Sequence, residues 1–208
     1  MTVFIYDNGL NLNNYKNALK RIGVDYVCSE NVEKAESADA LLLTGGGDVT
    51  PYFYGKIPDP LKKYDPMTDL AEFYLLKKFS LKQKTVVGIC KGMQVINVFF
   101  GGTLKNTLTA HYAEGKDLYH GLRNSEESFL LPLGKILRVN SAHVQTLDKI
   151  PPSLSVCAYS SLGKVPEAVK HKTLRVFGVQ FHPERMSEKF SDAFYGLFFK
   201  KTLVRPTD

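Results

Sequence analysis

The stretch VVGICKGMQVINVFF leaves little freedom in what can surround it. An apolar run suited to a buried strand ends at Cys90, and an apolar helical pattern begins at once. Gly88 and Gly92 flank the cysteine two residues to either side. A strand that turns into a helix this sharply presses both flanking positions against neighbouring elements, where side chains would collide. G-x-C-x-G is the cysteine counterpart of the G-x-S-x-G turn that lifts a nucleophile to the carboxyl edge of a sheet. Open α/β sheets bind their ligands at that edge. The N–H groups and partial positive charge of the following helix stabilise a thiolate at Cys90. The Lys91 N–H lies where a donor to an oxyanion is needed.

The flanking sequence is consistent with such a sheet. TVFIY, VDYVC, ALLLT and TVVGI read as short buried strands. Helical spacing separates them over residues 12–22, with Tyr15, Leu19 and Ile22 on one face, and over residues 67–78, with Leu70, Phe73, Tyr74 and Leu76. Asp65-Pro66 is a start signal for the second of these helices. Residues 92–100 form a third. This alternation predicts an α/β fold with a mostly parallel central sheet and helices on both faces. After Gly101 the segments shorten and are broken by Gly, Pro and Asn. SFLLPL, KILRVN and LSVCAYS predict additional antiparallel strands in the second half. TLRVFGVQF is a further strand, and residues 187–203 a terminal helix with Phe190, Phe194, Leu197 and Phe198 on one face. No repeat or linker interrupts the 208 residues, so one domain over 1–208 is expected.

Composition narrows the function classes. Lys and Arg outnumber Asp and Glu by 27 to 21, but no run of five or six like charges appears. Nucleic-acid binding and attachment to a membrane surface are therefore not expected. No apolar stretch is long enough to span a bilayer. Cys28, Cys90 and Cys157 are odd in number and far apart, which fits neither a disulfide framework nor a zinc site. With no charged and apolar leader at the start, a cytoplasmic location is expected. Cys28 and Cys157 read as small core residues.

A nucleophilic cysteine needs a base, and the base an orienter. VFGVQFHPE sets His182 just beyond an apolar strand and Glu184 two residues on. In an extended segment these two side chains share a side, and Pro183 favours an extended His182. Glu184 then reaches one ring nitrogen and leaves the other for the thiol, as in a Cys-His-acid triad. The competing reading is a surface turn that caps the strand. His111, His120, His143 and His171 are rival bases, but only His182 combines a strand end with an adjacent acid. TGGGD, residues 44–48, follows a buried strand and lets backbone N–H groups approach a ligand closely. It does not match a nucleotide-binding P-loop.

Taken together, LLLTGGGDVTPYFYG, GICKGMQ and FGVQFHPE resemble class I glutamine amidotransferase-like proteins, most closely their γ-glutamyl hydrolase branch (peptidase C26). The resemblance runs from about residue 40 to 184. It implies a flavodoxin-like fold, Cys90 as nucleophile, His182 as base and Glu184 as its orienter. It implies oxyanion donors from the Gly46 and Lys91 backbones, with Gln94 lining the glutamyl pocket. VNSAHVQ matches a substrate-side strand, making Ser141 and His143 binding candidates. Asp69 and Glu72 match a D-x-x-E pattern that follows the glycine loop, with helix surface or cap as the alternative.

The implied activity is hydrolysis of a γ-glutamyl amide without metal or organic cofactor, on a small γ-glutamyl substrate, with a homodimer as the candidate assembly. The opening YDNGLNLNNYKNALKRIGV is more like glutaminase components, which deliver ammonia to a partner synthase. A non-catalytic binding protein and a peptidase acting on protein chains are further alternatives.

Overall fold

The structure is a computed structural model that describes residues 1–107, 116–161 and 164–200. The first half alternates as expected: β1 (Thr2–Tyr6), α1 (Asn13–Arg21), β2 (Asp25–Ser29), β3 (Ala40–Leu43), α2 (Pro66–Leu81), β4 (Thr85–Ile89) and α3 (Lys91–Phe99). Then come β5 (Leu104–Asn106), β6 (Leu118–Asn124), β7 (Ile136–Ser141), β8 (Gln145–Leu147), β9 (Leu154–Ser160), β10 (Pro166–His171), β11 (Val176–Val179) and α4 (Glu188–Phe199).

Nine of these strands form one sheet, in the order β2-β1-β3-β4-β11-β10-β9-β6-β7. The first five are mutually parallel. From β11 onward every pairing is antiparallel. The parallel half has the flavodoxin-like order, one strand reversing direction of growth beside β1. Side chains in this half alternate between two cores. Val3, Ile5 and Leu42 face α1 and α4, whereas Phe4, Leu41 and Leu43 face α2 and α3. Both faces are covered, which is why the strands read as continuous apolar runs. β5 and β8 form a separate antiparallel pair.

Several expectations need correction. α2 spans Pro66–Leu81, with Asp65 capping it through the Thr68 N–H, but its buried face is rotated from the apolar stripe. Leu70 and Tyr74 are about half exposed, whereas Asp69 and Glu72 are buried with Leu75, Leu76 and Phe79. The reason is a buried cation described below. SFLLPL is no strand. Ser128 accepts from the Leu130 N–H and donates to Asn124, and residues Leu131–Leu133 make a single 3-10 turn around Pro132. Local side-chain bonds and a proline compete with a ladder here. Strands β6 and β10 were hidden by their polar residues, Asn124, His120 and Glu167, which are buried. α4 starts after Ser187, whose side chain caps it. The end of the expected helix, residues 201–203, lies outside the described residues, as does His111. Among the described residues, no helix is long and apolar enough to cross a membrane.

Candidate active site

Three adjacent parallel strands end at one place. The glycine loop leaves β3, Cys90 leaves β4, and His182 lies three residues past β11. Cys90 caps α3 with φ 51° and ψ −102°, a conformation that side-chain-bearing residues rarely adopt. The glycines make it attainable. A Cβ on Gly88 would lie 2.5 Å from the Gly92 carbonyl, and one on Gly92 would lie 2.4 Å from the Leu43 carbonyl oxygen. The helix thus packs directly on the backbones of two strands.

His182 pairs with Glu184, Nδ1 to Oε1, at 2.7 Å. The route differs from the extended segment expected. His182 is near-extended (φ −111°, ψ 85°), but Pro183–Arg185 then fold into a 3-10 turn that brings the carboxylate back under the ring. Both side chains are nearly buried. Burial alone would pull the His182 pKa down. The charge of Cys90 and its hydrogen bond to the ring, together with Glu184, outweigh burial and hold it at about 10. Opposite charge and hydrogen bonding to the charged form favour an imidazolium. Gly45 makes room for the ring, since a Cβ there would come within 2.9 Å of His182 Cε1.

Three positioning residues carry no obvious sequence signal. Asn140, at the end of β7 and fully buried, accepts from the His182 N–H at 2.9 Å and donates to the His182 carbonyl at 3.0 Å. It fastens the base to the far edge of the sheet. Gln180, also fully buried, donates to Cys90 Sγ at 3.6 Å, and its Oε1 accepts from Gln94 at 3.4 Å. Tyr15 accepts from the Gly45 N–H at 2.9 Å. Burial raises its phenol pKa well above the usual value, and the nearby Glu184 charge adds to this. The two amides and the phenol look like ordinary core-facing polar residues until the topology brings them together.

Lys91 has two roles to report. Its backbone opens α3 beside Cys90. Its side chain is buried between α2 and the glycine loop, with Nζ 2.8 Å from Asp69 and 2.6 Å from Glu72. Asp69 also accepts from the Thr50 N–H at 2.8 Å. Here the D-x-x-E pair is neither helix surface nor cap. Burial raises the Glu72 pKa to about 7 against the opposing pull of Lys91. The Lys91 pKa is raised because the two carboxylates outweigh burial. A Cβ on Gly46 would meet Lys91 Cδ at 2.9 Å, so the lysine also supports the loop from below.

A cavity of about 400 Å³ opens above the thiol. Gly46, Gly47, Asp48, Lys62, Cys90, Gln94, Ala142, His143 and Gln145 are among its walls. Gln94 and His143 both face this cavity, and Gln94 is fixed by donating to the Gln145 carbonyl at 3.1 Å. Ser141 ends β7 with no exposed surface and does not line the cavity. Neither Cys28 nor Cys157 forms a disulfide; Cys157 is buried in the core and Cys28 is partly buried against it. Among the described residues, no cluster of His, Cys, Asp and Glu could hold a metal ion.

The sequence model of the Peptidase C26 family matches residues 28–184. The chain belongs to that family. It is 33% identical over 177 residues to the glutamine amidotransferase-like protein YvdE of Lactococcus lactis, covering 79% of this chain and 75% of the relative. A glutamine-hydrolysing GMP synthase component of Methanococcus vannielii is 28% identical, with 88% and 87% covered. Among solved structures, a protein described as a GMP synthase component from Thermoplasma acidophilum superposes with a TM-score of 0.75 at 18% identity, covering 95% of this chain and 92% of that one. A glutamine amidotransferase from Thermotoga maritima gives 0.66, also at 18% identity, covering 88% and 76%. The class I glutamine amidotransferase-like fold is therefore shared by this C26 chain.

Proposed function

We propose that this Peptidase C26 chain hydrolyses γ-glutamyl amides through a glutamyl thioester on Cys90. The observation that carries the reading is the Cys90–His182–Glu184 arrangement, with its 2.7 Å His–Glu bond and its cysteine in the wall of a cavity of about 400 Å³. The Cys90 thiolate attacks the γ-carbonyl carbon. The N–H groups of Gly46 and Lys91 receive the developing oxyanion, a contribution of about 3 kcal/mol per donor. The His182 imidazolium gives its proton to the departing amine, and the C–N bond breaks. His182, now neutral, takes a proton from water as it attacks the thioester, and glutamate leaves with the thiolate regenerated. Gln94 and His143 line the glutamyl pocket, and Ser141 supports the strand that ends beside it. One domain carries all of these residues.

The experiment is glutamate release by the purified protein from a panel of γ-glutamyl amides beside free glutamine. Cys90→Ala is expected to lower turnover to the blank while the thermal melt stays sharp. Near-normal turnover in that variant would remove the mechanism. A second reading is a glutaminase component that hands ammonia to a partner synthase. The extended similarity to the glutamine-hydrolysing component of a GMP synthase favours it. It predicts a preference for glutamine and weak activity without a partner.

A further inference from the structure

The two N–H groups proposed to receive the oxyanion belong to different segments. Gly46 lies in the loop after β3, and Lys91 opens α3 after β4. Effective donors stand about 2.7–3.1 Å from the oxyanion, so their separation has to be fixed. Gly45, Gly46 and Gly47 carry no side chains that could fix it, and glycines leave the backbone wide freedom. The neighbours must hold the loop. At its start the Gly45 N–H donates to Tyr15 at 2.9 Å, and Asn8 donates to the Gly45 carbonyl at 3.3 Å. At its end Val49 is fully buried in the core under α2 and α3, and the Thr50 N–H donates to Asp69 Oδ2 at 2.8 Å. Between these points the Lys91 methylenes lie directly against Gly46.

Asp69 touches both sides of this arrangement. Its Oδ1 is 2.8 Å from Lys91 Nζ, while its Oδ2 takes the Thr50 N–H. An ammonium and a backbone N–H only donate, so both oxygens must accept, and an ionised carboxylate does that. An amide in its place would turn an NH2 towards one of the two donors. Glu72 differs. It sits on the same helix, is equally buried and lies 2.6 Å from the same ammonium, but among the described residues it makes no bond to the loop.

We infer that Asp69 is a positioning residue that locks the two oxyanion donors together, through Lys91 on one side and Thr50 on the other, a role that rests on the hydrolase reading of the site. Lys91 supplies one donor from its backbone and the floor under the other from its side chain. The carboxylate that fixes its ammonium therefore acts on both. The Thr50 bond keeps the loop from lifting off that floor. Buried charges of this kind lose little to screening by salt.

The test sets Asp69→Asn against Glu72→Gln. Each removes one buried carboxylate beside the same ammonium, but only the first reaches the loop. Asp69→Asn is expected to lower kcat for a γ-glutamyl anilide about thirtyfold, since the donors act on the transition state, and to leave KM within about threefold. Glu72→Gln is expected to keep kcat within about threefold. Equal losses of kcat in the two variants would overturn the assignment, because carboxylates that serve only the fold would act alike. Alkylation by iodoacetamide, read at Cys90 by mass spectrometry, separates the donors from the thiol. The thiolate forms an S–C bond as iodide leaves, and no oxyanion arises. Its rate in Asp69→Asn is expected to stay within about threefold of wild type. A fall matching that in kcat would place the effect on the thiol and overturn the assignment.

If Asp69→Asn does not fold, Thr50→Pro addresses the same bond. Thr50 has φ −58°, which proline adopts, and the change removes the N–H that Asp69 accepts. It is expected to lower kcat about tenfold with Lys91 and both carboxylates in place, and an unchanged kcat would overturn the assignment. Hydrogen exchange needs no turnover. Amides of residues 44–50 are expected to exchange about tenfold faster in Asp69→Asn than in wild type or Glu72→Gln, with β1 unchanged. Equal exchange in all three would overturn the hold on the loop. The tenfold contrast, found in a protein that releases no glutamate from any amide, would sink the hydrolase reading and leave Asp69 as the anchor of the loop. Glutamate release with an undiminished kcat in Asp69→Asn would sink the positioning role alone.

Discussion

At the scale of single residues, the site depends on atoms that are missing as much as on those present. Gly45, Gly88 and Gly92 each vacate a space that His182, α3 or a strand backbone fills. Those glycines, with Cys90, His182 and Glu184, were legible in the sequence because each stands in a motif whose geometry admits few residue types. Asn140, Gln180 and Tyr15 were not. A buried amide has no fixed spacing from its partner when the partner arrives from another strand. His182 yields a prediction at this scale. In the proposed hydrolysis its proton goes to the leaving amine, and its pKa is held at about 10. The rate of thioester formation should therefore fall on the alkaline side near pH 10, well above the 6.5 of an ordinary histidine. Glu184 contributes to that elevation, so in Glu184→Gln the alkaline limb should move to lower pH, with kcat/KM down about 10–100-fold at neutral pH. A pH profile of single-turnover acylation reads this, and an unmoved limb would separate Glu184 from the base.

At the scale of elements, α2 and α3 are joined by the Lys91 ammonium held between Asp69 and Glu72 as well as by apolar packing. The helical periodicity of α2 misled for this reason. Its carboxylates occupy the inward stripe, and Leu70 and Tyr74 are left outside. Lys91→Met would strand two buried carboxylates and is expected to cost about 3–5 kcal/mol, read as a lower melting temperature. Lys91→Arg keeps the charge and should retain most of the stability. Glu72 adds a pH dependence whose sign is fixed. Its folded pKa, about 7, lies above the unfolded value of about 4.5. The folded chain therefore binds that proton more tightly, and its stabilising effect fades as pH rises from about 4.5 through 7. Relative to Glu72→Gln, the wild-type melting temperature should decline across that window and level off above it. A constant difference would contradict the assignment.

At the scale of the whole molecule, the sheet is two constructions sharing β11. The parallel half was legible because strands buried on both faces are continuous apolar runs. The antiparallel half was only partly legible, since β6 and β10 carry His120 and Glu167 into the interior and SFLLPL mimics a strand. Backbone amides of β1, β3, β4 and β11 have a ladder neighbour on both sides and helices on both faces, whereas β7 is an edge. Hydrogen exchange should be slowest in those four strands and distinctly faster in β7 and the β5–β8 pair. Equal protection throughout would mean the halves unfold as one unit.

Because β11 follows the antiparallel strands in the chain but lies beside β4 in space, the thiol and its base are made at different times. Cys90 leaves the ribosome about ninety residues ahead of His182, and ahead of Asn140, which holds that histidine in place. During synthesis the thiol therefore lacks its histidine partner until β11 and the segment after it have emerged. A chain without β11 carries Cys90 without His182, and the proposed pair forms only as β11 slots in beside β4.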